Sequence, residues 1–169
     1  MSLTEKYPQE IEKVLAKYPP EQKRSAVMAL LFMAQREDGY ISKQDKLDIA
    51  EILDMTTTEI SAIVGFYSLY HDKKAGKFRI QVCADISCAL RGADQYLADL
   101  CEKLDVKPGE TTADGLITVE KVMCLAACDK APMFQVQSTN GIKYHEKMTI
   151  DTTLELIEAL RKDAKEAIS

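Results

Sequence analysis

The chain has 169 residues, 46% of them hydrophobic and 29% charged, which is the balance of an ordinary globular protein and excludes a disordered or fibrous one. Its 27 acidic against 22 basic side chains leave a net charge of −5, so the broad basic face of a nucleic-acid binder is not expected. The longest strongly apolar stretch, residues 26–34, is about half of a bilayer span. The first residues lack the basic-then-apolar order of a signal peptide, and a soluble, intracellular protein is expected. Five cysteines and no tryptophan stand out. An odd count in a reducing compartment disfavours a disulfide framework.

In chain order, the first 78 residues hold no cysteine and read as helices. Thr4 is placed to cap a helix through about Lys17, with Ile11, Val14 and Leu15 at helical spacing, stopped by Tyr18-Pro19-Pro20. A second helix starts at that proline pair, carries Ala26, Val27, Leu30, Leu31 and Ala34 on one face, and ends near Asp38-Gly39. Ser42 should cap a third, with Leu47, Ile49, Ala50, Ile52 and Leu53 mostly inward. Thr57 or Thr58 should cap a fourth carrying Ile60, Ile63, Val64 and Tyr67, with Phe66 and Tyr67 read as core. A basic connector, Lys73 to Lys77, follows. Lys77 to Cys83 alternates and is rich in β-formers, the mark of a strand. Ala93 to Leu104 is an amphipathic helix with Tyr96, Leu97, Leu100, Cys101 and Leu104 on its apolar face. Pro108-Gly109 and Asp114-Gly115 mark turns, and Leu116 to Cys124 is a second strand. Phe134–Gln137 and Ile142–His145 flank Asn140-Gly141 as a hairpin. Thr152 or Thr153 should cap a last helix to about Lys162. The class is α+β, a helical bundle over residues 1–78 followed by an α/β domain over 79–169 with the order β-α-β-β-β-α.

The cysteines carry the chemistry. Cys83 and Cys88 are separated by four residues and Cys124 and Cys128 by three, each pair just after a predicted strand. An ordinary crossover makes those strands parallel, so both cysteine loops leave the same side of the sheet. Four converging thiolates are soft anionic donors that select iron or zinc. Neither pair has the two-residue spacing common in structural zinc sites, and a 2Fe–2S cluster, with two thiolates on each iron, suits the longer loops better. Zinc and a metal-free role stay open. The C-x-x-C of a thiol–disulfide exchange enzyme is absent. Cys101, on a helix face, reads as a small buried hydrophobe.

The runs QVCADISCALRGAD and CLAACDKAPMFQV, with GYIS, IAEIL, VGFYSLY and KPGETTADGLITVEKVMC, resemble the thioredoxin-like 2Fe–2S subunit of NADH:quinone oxidoreductase along nearly the whole chain. Ala126 stands where that family often has glycine, and QSTNGIKYHEKMT is a few residues longer than its usual hairpin. The resemblance implies a thioredoxin-like domain over residues 79–169 and a 2Fe–2S cluster on Cys83, Cys88, Cys124 and Cys128, the first pair on one iron and the second on the other. It implies a larger flavoprotein partner that binds NADH and FMN, with further iron–sulfur subunits, in a respiratory complex, an NAD-linked hydrogenase or a formate dehydrogenase. It also makes Pro132 a candidate for a cis bond.

Nothing in the chain signals nucleotide binding, since neither G-x-G-x-x-G nor a phosphate-binding loop is present, so no complete active site of its own is expected. His71 and His145 lie beside charged residues and read as surface histidines. Asp85, Asp129, Arg91 and Lys130 flank the cysteines and read as solvated charges. A DNA-binding redox sensor is the main rival, because residues 41–70 have helix–turn–helix spacing. Its recognition helix, Thr58 to Tyr70, carries no Arg, Lys, Asn or Gln to reach bases. A zinc-stabilised interaction module is the other.

Overall fold

The computed structural model describes residues 2–166, and the chain divides into two compact units between Lys74 and Ala75. Helices make up the first unit. Ser2 and Glu5 form a reciprocal capping box on α1 (Leu3–Lys6), and Pro8 opens α2 (Pro8–Leu15). The single helix expected from Thr4 is therefore two, because proline at position 8 removes the N–H that would continue α1. A 3-10 stretch, Pro20–Ala26, leads into α3 (Val27–Asp38), which stops at Gly39 in the left-handed conformation. Ser42 with Asp45 caps α4 (Lys43–Leu53), and Thr56 with Glu59 caps α5 (Thr57–Phe66). The cap of α5 is thus one residue before the expected pair, since only Thr56 stands three residues ahead of a glutamate.

Leu30, Leu31, Ile41, Ile49, Leu53 and Ile60 fill the core of this unit. Two expectations fail there. Leu47 is 52% exposed, because the inward place on α4 goes to Asp48, which is buried. Its carboxylate accepts the Leu3 N–H at 2.6 Å and the Gln44 side-chain amide at 2.7 Å, which satisfies the start of α1. Phe66 and Tyr67 are likewise not core. Phe66 is 81% exposed, and Tyr67 has already left helical geometry at φ −92° and ψ 113°, so the helical period no longer sets which way the rings face. The two rings pack edge to face at 5.1 Å.

The second unit is a four-stranded sheet in the order β2-β1-β3-β4, built from β1 (Phe78–Cys83), β2 (Ile117–Val122), β3 (Phe134–Ser138) and β4 (Gly141–His145). β1 and β2 are parallel, joined by the short helix α6 (Ile86–Ala89) and by α7 (Ala93–Leu104), and the other pairs are antiparallel. The last helix, α8 (Ile150–Glu166), starts earlier than expected, with the Thr149 hydroxyl accepting the Thr152 N–H at 3.2 Å. Alternation along the strands sends Phe78, Ile80, Val82, Ile117, Val119, Phe134 and Val136 to one face, where Leu97 and Leu100 of α7 and Ile157 of α8 cover them. Tyr96 and Thr153, both buried, join α7 to α8 through a 2.6 Å hydroxyl–hydroxyl bond.

The opposite face is polar and internally paired. Arg79 forms an ion pair with Glu120, which also accepts the Gln81 amide at 2.8 Å, and Gln135 donates to Gln81 at 2.6 Å. The chain enters β1 through Gly76, where a Cβ would come within 2.6 Å of the Leu116 backbone, so only glycine fits this approach.

Candidate metal centre

Four of the five cysteines are carried to one end of the sheet. Cys83 is the last residue of β1 and sits opposite Val122, the last residue of β2, so the chain leaves both parallel strands in the same direction. Cys124 follows two residues later, and Cys128 opens a short 3-10 turn, Cys128–Lys130, ahead of β3. Backbone bonds knit these loops together. The Cys83 N–H donates to the Met133 carbonyl at 3.3 Å and the Ala84 N–H to that of Val122 at 3.1 Å. Asp85 accepts the Ile86 N–H at 2.9 Å and starts α6, the single turn that carries Cys88. The peptide before Pro132 is cis, as the resemblance implied. The carbonyls of Lys130 and Pro132 accept N–H groups from Lys147 and Met148 at 2.8 and 2.9 Å, anchoring the Cys128 loop to the end of β4.

Burial divides the four. Cys83 and Cys88 are each 1% exposed, Cys128 is half-buried and Cys124 is exposed. Beneath them Ala93, Ala131 and Met133 pack with the two buried cysteines, with Leu125 and Ala127 alongside. The Cys88 thiol is pushed up to about 12, first by burial, then by its hydrogen bond with Cys83 and by the negative charge of Cys83, Cys128 and Cys124 as thiolates. Cys88 therefore lies within electrostatic reach of the other three cysteines. The Ala126 N–H donates to Cys124 Sγ at 3.3 Å. Among the described residues, no group of three or more His, Cys, Asp or Glu side chains is drawn together as a ready-made shell for one metal ion.

The remaining candidates separate from this centre. Cys101 packs on the apolar face of α7, its thiol raised by burial and by the Glu110 charge. His145 is half-buried rather than exposed, stacked on Phe134 at 5.3 Å between centroids. Burial, then the Lys143 charge, lowers its pKa. His71, also half-buried, donates its backbone N–H to the Gln35 side chain. Asp85 is a helix cap, while Lys130 pairs with Asp129 at 3.6 Å and with Glu146 at 4.0 Å. A feature not read from the sequence surrounds the cysteines: Ile86, Leu90 and Met123 are 76%, 84% and 74% exposed. Each sits within three residues of a cysteine, in segments too short for any period to show which way it faces. As a donor set the site offers thiols alone, two buried, one half-buried and one exposed, a chemistry that fits an iron–sulfur centre or zinc and disfavours hard cations.

Residues 11–161 match the family model of the thioredoxin-like [2Fe-2S] ferredoxins. NADH-quinone oxidoreductase subunit 2 of Thermus thermophilus is 42% identical over 151 residues, covering 89% of this chain and 82% of its own. A subunit of the NADH-quinone oxidoreductase of Rhizobium meliloti is 36% identical over 153 residues, covering 90% and 88%. Among solved structures, an NAD+-reducing [NiFe]-hydrogenase in the air-oxidized state superimposes with a TM-score of 0.64 at 18% identity. The overlap covers 80% of this chain and 23% of that one, and it speaks to the fold alone.

Proposed function

The chain belongs to the thioredoxin-like [2Fe-2S] ferredoxin family, and from that premise we propose that it is an electron-transfer subunit holding one 2Fe–2S cluster on Cys83, Cys88, Cys124 and Cys128. The observation that carries the proposal is the delivery of these four thiols, from two loops, to one end of a parallel strand pair. Cys83 and Cys88 serve one iron, and Cys124 and Cys128 the other. The spacings of four and three residues within the pairs, longer than the two common in structural zinc sites, suit two irons with a pair each better than one ion taking all four.

When bound, the cluster supplies one-electron transfer. The protein holds its ligands, shields the Cys83 side and leaves the Cys124 side accessible, where an electron would enter or leave. The names of the relatives support a place in an NADH-quinone oxidoreductase, beside a flavoprotein subunit that binds NADH and FMN and among further iron–sulfur subunits. NAD-linked hydrogenase and formate dehydrogenase complexes would use the same part. Ile86, Leu90 and Met123, each exposed and within three residues of a cysteine, suit a protein partner seated over the cysteine loops. A cytoplasmic position follows from that assignment, as does the absence of a complete active site in this chain.

The test is the purified protein. It should be brown-red, contain iron and acid-labile sulfide in equal amounts, and bleach on reduction. Cys83→Ser and Cys124→Ser should lose or shift that absorption, whereas Cys101→Ser should leave it intact. A colourless zinc-bearing protein would overturn the cluster, and loss of the spectrum in Cys101→Ser would overturn the ligand set.

A further inference from the structure

The loop between Cys124 and Cys128 contains an alanine in the left-handed region, Ala126 at φ +58°. Three other non-glycine residues among those described share a positive φ: Asp54, Asp105 and Lys147. Asp54 and Asp105 each terminate a helix, where this conformation is a routine stop. Ala126 terminates none. A left-handed alanine crowds its Cβ against the carbonyl that follows, and its exposed methyl gains no packing in return. What the conformation does achieve is visible in the hydrogen bonding: the Ala126 N–H is aimed at Cys124 Sγ, 3.3 Å away. Cys124 is also the exposed cysteine, so burial does not fix its orientation.

We propose that Ala126 is a positioning residue for the cluster: its left-handed backbone holds an N–H donor on the Cys124 sulfur, fixing that ligand and raising the reduction potential. The proposal rests on the ligand set given under the proposed function. Its sign follows from charge. Reduction adds one electron to a centre already ligated by four thiolates, and a donor on a thiolate sulfur stabilises the more negative state. The donor is a backbone group, so no side-chain change deletes it directly. Substitution can still move it, because glycine takes positive φ freely, alanine at a cost, and a β-branched residue at a greater one. The exposed methyl makes the comparison clean, since extra side-chain atoms point to solvent and act through the backbone.

The experiment compares the full chain, cluster-loaded, with Ala126→Gly and Ala126→Val. Ala126→Gly keeps the N–H and should keep the parent potential and visible spectrum, while its thermal midpoint rises by about 2–4 °C as strain is released. Ala126→Val should retain iron, shift the sulfur-to-iron absorption bands and move the potential negative. A fall of the thermal midpoint in Ala126→Gly, the usual result at a negative-φ position, would overturn the proposal. So would a parent-like potential and spectrum in iron-loaded Ala126→Val. Should the valine variant fail to load, Ala126→Leu, which is not branched at Cβ, is read in its place, and a parent-like potential and spectrum there overturn the proposal. A parent chain without iron would remove the ligand set itself, a result distinct from a loaded cluster whose potential ignores residue 126.

Discussion

At the scale of single residues, Asp114 shows how a modest site sets acid stability. Partial burial works to raise its pKa, but the Thr112 hydroxyl, the Leu116 N–H and the Arg161 guanidinium together hold it below the ordinary carboxylate value of 3.8. A carboxyl depressed by folding contributes stability that is complete above its unfolded pKa and is lost as pH falls through the folded one. Asp114→Asn should therefore lower the denaturation midpoint at neutral pH, and the gap to the parent should close only below about pH 3.8. An equal gap at pH 7 and pH 2.5 would mean that the amide's altered packing, not the charge, is responsible. The convergence of the two cysteine loops was legible at this scale, because each spaced pair follows a strand-like run and the two strands are parallel. The left-handed backbone of Ala126 was not. The alanine itself does not announce positive φ, as an Asn-Gly pair would, and the one hint was the glycine that the resembled family often has there.

At the scale of elements, the polar sheet face makes a sharp prediction. Glu120 is the shared acceptor of Arg79 and of Gln81 two residues on, with Gln135 extending the chain of bonds across β3. Removing it leaves buried donors without that acceptor, so Glu120→Ala should cost about 2 kcal/mol in denaturant unfolding. Glu120→Gln, which keeps one acceptor oxygen, should cost less. Equal effects would show that shape rather than hydrogen bonding governs the site. The same scale explains what could be read in advance. Ser42 was a visible cap because Asp45 stands three residues on, and β1 was visible because its residues alternate. Phe66 and Tyr67 misled because apolar spacing says which face a helix buries but not where the helix ends. Leu47 misled for another reason, since the inward place goes to Asp48, a carboxylate held there because it serves the N–H of Leu3, 45 residues away in sequence. The one-turn α6 has too few residues for any period to register.

At the scale of the molecule, the four cysteines, their supporting small residues and the sheet core all belong to the unit from Ala75 onward. We therefore expect a fragment of residues 75–169 to take up the cluster and show the parent spectrum, with residues 1–74 needed for assembly into a complex. A fragment that folds, as judged by circular dichroism, yet stays colourless would refute that division of labour. The apolar rim gives a second expectation at this scale. Leu90→Glu combined with Met123→Glu should leave the spectrum unchanged and weaken co-purification with the flavoprotein subunit proposed above at least tenfold, a loss of about 1.4 kcal/mol or more. Unaltered co-purification would place the docking surface elsewhere. None of the described helices is long and apolar enough to cross a membrane. The parallel pairing of β1 with β2 has one more consequence, which concerns time rather than space. Cys83 and Cys124 are 41 residues apart (124 − 83) and reach a common edge only once the crossover through α7 has closed. On the proposed ligand set, a ribosome that has released only the first cysteine loop presents half a site. Iron delivery must then wait for this non-local parallel pairing to close, and the cluster seals a fold already made rather than nucleating one.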